Sequence, residues 1–196
     1  SFFMLWMLSL PIMLCIDRIL HLWLKEVPEY TNIFTIWILA YSLINVLNNP
    51  IWSITLAVGK LKKYIMIGSG VFLLVFPLAY VFLKSGASPV SVYVVLFFVR
   101  LCYLLVVLKI IKQYINYSYY DYFRYVIRPI FAVLSLSLLL NYAIRYLMPD
   151  TLILMFVFIA ISIFVTGIII WNVGITSQER MFVKAAINNK FKQYKK

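Results

Sequence analysis

Acidic side chains are scarce in this chain: six carboxylates stand against eighteen lysines and arginines, and only 12% of the 196 residues are charged. A soluble domain of ordinary composition carries about a quarter charged residues, so an ordinary water-soluble globular domain is excluded. Histidine is nearly absent, with His21 alone, and the two cysteines, Cys15 and Cys102, form no CxxC or Cys/His cluster. That spacing argues against a zinc site or a disulfide framework. No GxSxG, HExxH, Walker A or dinucleotide-binding pattern occurs, so no catalytic set, metal site or cofactor is expected and the chain reads as a non-enzyme. For His21, at a span end, an interfacial structural role stands beside the reading as ligand or base. No soluble stretch is long enough to hold a nucleotide, which excludes an ATP-driven pump within this chain.

Apolar residues dominate instead. They make up 65% of the chain, aromatics 18%, and the mean hydropathy is +0.98; globular domains run to about 45–50% apolar. The lipid bilayer is the solvent this composition suits. Windows of about 20 apolar residues predict six spans, at 1–15 (or to 20), 31–58, 64–83, 90–111, 129–146 and 151–171. Pro11, Pro50 and Pro77 fall inside spans and predict kinks, tolerated where neighbouring helices re-satisfy the freed carbonyls.

The net charge of +12 is set between the spans, which fits the positive-inside rule and not a nucleic-acid surface; no nucleic-acid partner is expected. One side collects thirteen basic and two acidic residues, the other four of each, and Arg100 remains inside a span. The basic side is predicted to be cytoplasmic, with both chain ends on it. Two segments of that side are more than plain loops. Residues 112–128 are tyrosine-rich and read as an interfacial helix, with aromatic rings at headgroup level. The tail, 172–196, opens a capping box at Thr176 and Glu179 and reads either as a basic amphipathic helix on anionic lipid or as a solvated tail. The predicted organisation is thus four spans over 1–111, the interfacial helix, a peripheral pair of spans over 129–171, and the tail. The opening SFFMLWMLSLP has no initiator Met, cationic n-region or small-x-small site. It resembles a transmembrane helix entered partway, so the chain is expected to be part of a longer protein.

Arg100 is the sharpest candidate, about ten residues from either end of its span. Arginine at that depth costs roughly 2.5–3.5 kcal/mol on insertion scales, so it needs a partner or a wet cavity. It could fork onto phosphate or carboxylate, or bond a neighbouring helix. Tyr93 and Tyr103 lie near its face, suited to sugar or headgroup contact and equally to packing. In the second span Ser42, Asn45, Asn49 and Ser53 recur at spacings of three and four and share one face. Interhelical bonding and ligand contact are both open there, and Asn49-Pro50 adds a break whose carbonyls could serve a ligand or ion. Ser137, Asn141 and Arg145 form a similar stripe that favours packing and snorkelling. Asp17 and Arg18 read as an interfacial anchor, with an ion-coupling acid as the sharper alternative for Asp17.

One further pattern spans nearly the whole chain. LWL at 22–24, VPEYT at 27–31, the A-x-GKLKKY run at 57–64, a Pro77-bearing span closed by GASP at 86–89, and GITSQERMFV near the end follow one another in an order that resembles the bacterial polysaccharide flippases. These are the O-antigen and capsule transporters of the multidrug/oligosaccharidyl-lipid/polysaccharide exporter superfamily. The resemblance implies an all-α polytopic membrane helix bundle whose six transmembrane helices are the C-terminal portion of a two-lobed transporter of twelve to fourteen helices. It further implies a location in the bacterial inner membrane. The implied activity is the flipping of undecaprenyl-diphosphate-linked oligosaccharide by alternating access about a cationic cavity. Arg100, Asn45, Asn49, Ser42 and Tyr103 would contact that substrate, placed there by depth and face. The partners implied are the lipid-linked oligosaccharide, membrane lipids and other polysaccharide-assembly membrane proteins. Two other classes remain open: a membrane-embedded polymerase or acyltransferase, for which the outer loops are short, and a multidrug exporter, for which the absence of a central acid speaks mildly against cationic cargo.

Overall fold

A computed structural model describes residues 1–59, 61–112, 118–149, 151–175 and 179–181. Those residues are almost wholly helical, with no strand among them. Among the described residues five helices are long and apolar enough to cross a membrane, and a bent pair at the start makes up to six. The described residues are therefore all-helical and of a length and composition that fit a multi-pass membrane protein. It divides into two compact units, Ser1–Tyr117 and Ser118–Lys196.

The first unit begins with α1 (Phe2–Leu14) and α2 (Ile16–Trp23), which meet at Cys15 with a bend of 77°. The bend coincides with a change in side chains. α1 is apolar apart from the buried Ser9, whereas α2 buries Ile16 and Leu20 one turn apart and turns Asp17 and His21 outward. Such a helix suits an interface and not the bilayer interior. Asp17 accepts a hydrogen bond from the Asn32 amide, which ties α2 to the first turn of the next helix.

The second span is α3 (Thr31–Leu47) followed by α4 (Asn49–Val58), broken at Asn48. Pro50 has no N–H for the Val46 carbonyl, and its ring crowds that carbonyl. The backbone tightens in response, with Asn48 N–H donating to Asn45 O at 3.0 Å, an i→i−3 bond. α4 ends on Gly59 at φ 72°, a left-handed stop that glycine takes without steric cost. The third span repeats the device. α5 (Leu61–Leu73) and α6 (Val75–Lys84) are broken at Leu74, three residues before Pro77, and Leu74 N–H again takes an i→i−3 bond, to Val71 O at 3.2 Å.

α7 (Val90–Lys112) is the centre of this unit. It packs on α3, α4, α5 and α6 and buries Val95, Val99, Tyr103, Leu104, Val107, Leu108 and Ile111 along one side. By contrast α6 buries no residue and exposes Phe76, Tyr80 and Val81, as a lipid-facing helix does. Two ring pairs, Phe34–Tyr93 at 5.0 Å and Trp37–Phe97 at 5.3 Å, join α3 to the first half of α7.

In the second unit a short helix, α8 (Tyr119–Tyr122), is capped by Ser118, whose hydroxyl accepts from Tyr120 N–H at 3.2 Å. It passes through one π-helical turn (Phe123–Ile127) into α9 (Arg128–Leu147), a continuous run of 29 residues. Part of the tyrosine-rich segment, 113–117, lies outside the described residues, as does most of the tail after 175, including Thr176 of its capping box. α10 (Leu152–Ile169) starts at Thr151, whose hydroxyl caps Leu154 N–H at 3.4 Å, and ends in a second π turn, Ile170–Gly174. Small and polar residues at fourfold spacing, Ser137 and Asn141 facing Ser162 and Thr166, fill the seam and are wholly buried. Such residues let membrane helices approach closely. Asn141 Nδ2 bonds both the Ser137 carbonyl, at 2.8 Å, and Thr166 Oγ1 across the seam, at 3.2 Å. The sequence stripe of Ser137, Asn141 and Arg145 is thus packed against a helix: Arg145 completes it with its guanidinium 5.9 Å from the Phe158 ring centroid.

Candidate functional site: a stacked arginine in the membrane

Arg100 is the eleventh of the 23 residues of α7, which puts its Cα midway along the span. Its guanidinium lies between two aromatic rings, 5.2 Å from the Phe72 centroid and 5.0 Å from that of Tyr103. Cation–π contacts of this kind are worth about 2 kcal/mol when desolvated, comparable to the cost of inserting the charge. Nη2 donates to Asn45 Oδ1 on α3, while Nε is buried without a partner. One edge of the fork is therefore occupied and another buried donor is left over. A buried guanidinium nitrogen with no acceptor is costly in a low dielectric and is suited to a ligand oxygen.

The rings that hold Arg100 are held in turn. Tyr103 is only 3% exposed and meets Tyr64 edge-on at 5.8 Å; Phe72 lies 5.8 Å from Tyr103, and Tyr64 lies 5.2 Å from Trp52 of α4. Tyr64, Gly68 and Phe72 recur at spacings of four, so one face of α5 carries two rings with a glycine between them. A Cβ on Gly68 would sit 3.2 Å from both Cε2 and Oη of Tyr103. The missing side chain is what lets that ring lie against α5.

Of the five residues singled out in the sequence, three come together here: Arg100, Asn45 and Tyr103. Asn49 and Ser42 lie one turn to either side of Asn45, and neither bonds Arg100 among the described residues. Ser42 returns its hydroxyl to the Ile38 carbonyl at 2.8 Å, as Ser53 does to Asn49 O at 3.1 Å. Asn45, Asn49 and Ser53 are exposed, so this polar face is uncovered within its own unit. Lipid cannot satisfy such amides; the face suits a wet cavity or further helices. Tyr93, read from sequence as close to Arg100, packs on Phe34. The acid candidate Asp17 is bonded to Asn32.

Two features escaped sequence reasoning. Asn48 is 3% exposed, donates weakly to the Ile44 carbonyl at 3.4 Å, and leaves its Oδ1 buried and unpartnered. It belongs to a second face, Ile44, Asn48, Ile51 and Thr55, which is the buried one; its spacing is legible in the sequence, but the neighbouring face is the more polar. Phe72 carried a legible i+4 relation to Tyr64 and Gly68, though its place over Arg100 follows only from how α5 crosses α7. Among the described residues no group of three or more His, Cys, Asp or Glu could hold a metal. No family model, curated protein or solved structure matches this chain.

Proposed function

We propose that this chain acts in moving an undecaprenyl-diphosphate-linked oligosaccharide across the bacterial inner membrane for surface polysaccharide assembly. In this reading it forms the second lobe and the peripheral helix pair of an alternating-access flippase. The single observation that carries the reading is a guanidinium at mid-span, clamped between Phe72 and Tyr103 with a buried free Nε, beside an uncovered amide face. A diphosphate is the ligand chemistry that such a fork serves best. The ordered resemblance from LWL to GITSQERMFV supports the same class.

The mechanism follows from the contacts. A phosphate oxygen arriving on the Asn45 side competes with that amide for Nη2 and takes up Nε at the same time. The two rings keep the guanidinium plane fixed, so little side-chain entropy is lost on binding. Asn45, once released, is free to bond a sugar or phosphate oxygen, with Asn49 and Ser42 one turn away along the same face. The breaks at Asn48 and Leu74 supply places where the outer and inner halves of two spans can tilt as the lobe rocks.

The test is Arg100→Ala and Arg100→Lys in the intact protein. Surface polysaccharide should be lost in the alanine variant with normal membrane abundance, and the lysine variant should stay well below wild type because a point charge cannot fork. Wild-type glycan levels in Arg100→Ala would remove the proposal.

A further inference from the structure

The outer surface of α9 holds a second arrangement, independent of Arg100. Phe123, Ile127, Phe131 and Ser135 recur every four residues, and Arg128 and Ala132 run beside them. Together these six residues line a shallow groove of about 480 Å³. Its floor exists because Ala132 and Ser135 are short while Phe123 and Phe131 stand out, 59% and 72% exposed. Ser135 gives its hydroxyl to the carbonyls of Phe131 and Ala132, at 2.8 and 3.2 Å, so it offers the groove no polar end.

The π turn sets what lies at the mouth. Arg128 N–H donates to Phe123 O, an i→i−5 bond. In an α-helix residues five apart point about 140° away from each other; the wider π turn brings them back toward one side. Arg128 therefore heads the same groove that Phe123 walls, and Arg124 lies one turn before it. Both guanidiniums belong to exposed residues, and Arg124 stacks 5.8 Å from the Tyr125 ring. Asp121, the only carboxylate among residues 118–128, is also exposed. From Arg128 to Ser135 the groove runs about 10 Å along the helix, with charge at one end and hydrocarbon along the rest.

We propose that this groove binds an anionic phospholipid, its phosphate on Arg128 and one acyl chain along Ile127, Phe131 and Ala132. Charge complementarity selects the occupant: a zwitterionic lipid would gain the same apolar contact without net attraction to the arginines. A basic residue near an anionic headgroup is worth about 1 kcal/mol, or about a fivefold preference.

Native mass spectrometry of the full chain in detergent, titrated with phosphatidylglycerol or phosphatidylcholine of identical acyl chains, tests this. Wild type should retain phosphatidylglycerol about fivefold better. Arg128→Gln should erase that preference while phosphatidylcholine binding stays unchanged, and Ala132→Leu, which fills the floor, should weaken both lipids alike. A preference that persists in Arg128→Gln, or wild-type binding of both lipids in Ala132→Leu, overturns the assignment. Undecaprenyl phosphate forms the third arm. If it displaces phosphatidylglycerol at equal concentration from wild type but not from Arg128→Gln, the groove serves a polyprenyl carrier and the phospholipid assignment is wrong, with the transport reading left standing.

Discussion

Arg100 shows how much a single side chain can imply when its surroundings are known. Its depth was readable from the sequence, and depth alone required a partner. The partners came from three different helices: Asn45 from α3, Phe72 from α5 and Tyr103 from its own α7. Gly68 is the least conspicuous member of the group and the most sensitive to size. Gly68→Ala places a methyl 3.2 Å from Tyr103 Oη and Cε2, and overpacking of this kind costs about 1–3 kcal/mol. The variant should unfold at lower temperature in detergent and, on the proposed function, polysaccharide export should fall with the displaced ring. Unchanged thermal stability and export would mean that Tyr103 moves aside freely. Asn48 is the opposite case, a buried amide that the sequence does not distinguish from its exposed neighbours Asn45 and Asn49.

At the scale of elements, two of the long helices of the first unit are broken by the same device, a proline two or three residues beyond a tightened turn. Pro11, Pro50 and Pro77 predicted kinks; α1 runs unbroken through Pro11, whereas breaks fall at Asn48 and Leu74, within one turn upstream of the other two rings. Proline acts on the preceding turn because it removes a bond to, and crowds, the carbonyl four residues back. Pro50→Ala restores the donor for Val46 O and should make α3 and α4 one continuous helix. Spin labels at exposed Ile38 and Leu56 should then report a narrower distance distribution. On the proposed function, a working hinge here means that export falls while abundance holds; a wild-type distance distribution would show that Pro50 does not set the interruption. The bend at Cys15 was less legible. No proline or glycine stands at it, and the switch from a helix apolar but for Ser9 to an amphipathic one is a weaker signal than a missing N–H.

For the whole molecule, hydropathy and charge carried most of the information. Six apolar windows correspond to the five long helices and the bent pair, because backbone groups in lipid must be satisfied within the segment and helices are the local way to do so. Orientation adds a prediction of its own. In a variant with Cys15 and Cys102 replaced by alanine, Ser88→Cys should react with a membrane-impermeant maleimide in intact cells, and Lys62→Cys only after permeabilisation. The reverse pattern would invert the topology derived from the basic residues. The sequence by itself determined that five or six segments are long and apolar enough to cross a bilayer, where prolines fall within them and that Arg100 sits midway along one. Those properties depend on each segment's own transfer energy and backbone bonds, so they are local and additive along the chain. The tertiary structure decided which face of the second span is buried, that Ser137 and Asn141 close a helix seam, and that Phe72 and Tyr103 enclose Arg100. Each of these depends on which helix crosses which, and at what register, and between apolar helices in lipid that choice rests on close packing and a few polar contacts that no single segment contains.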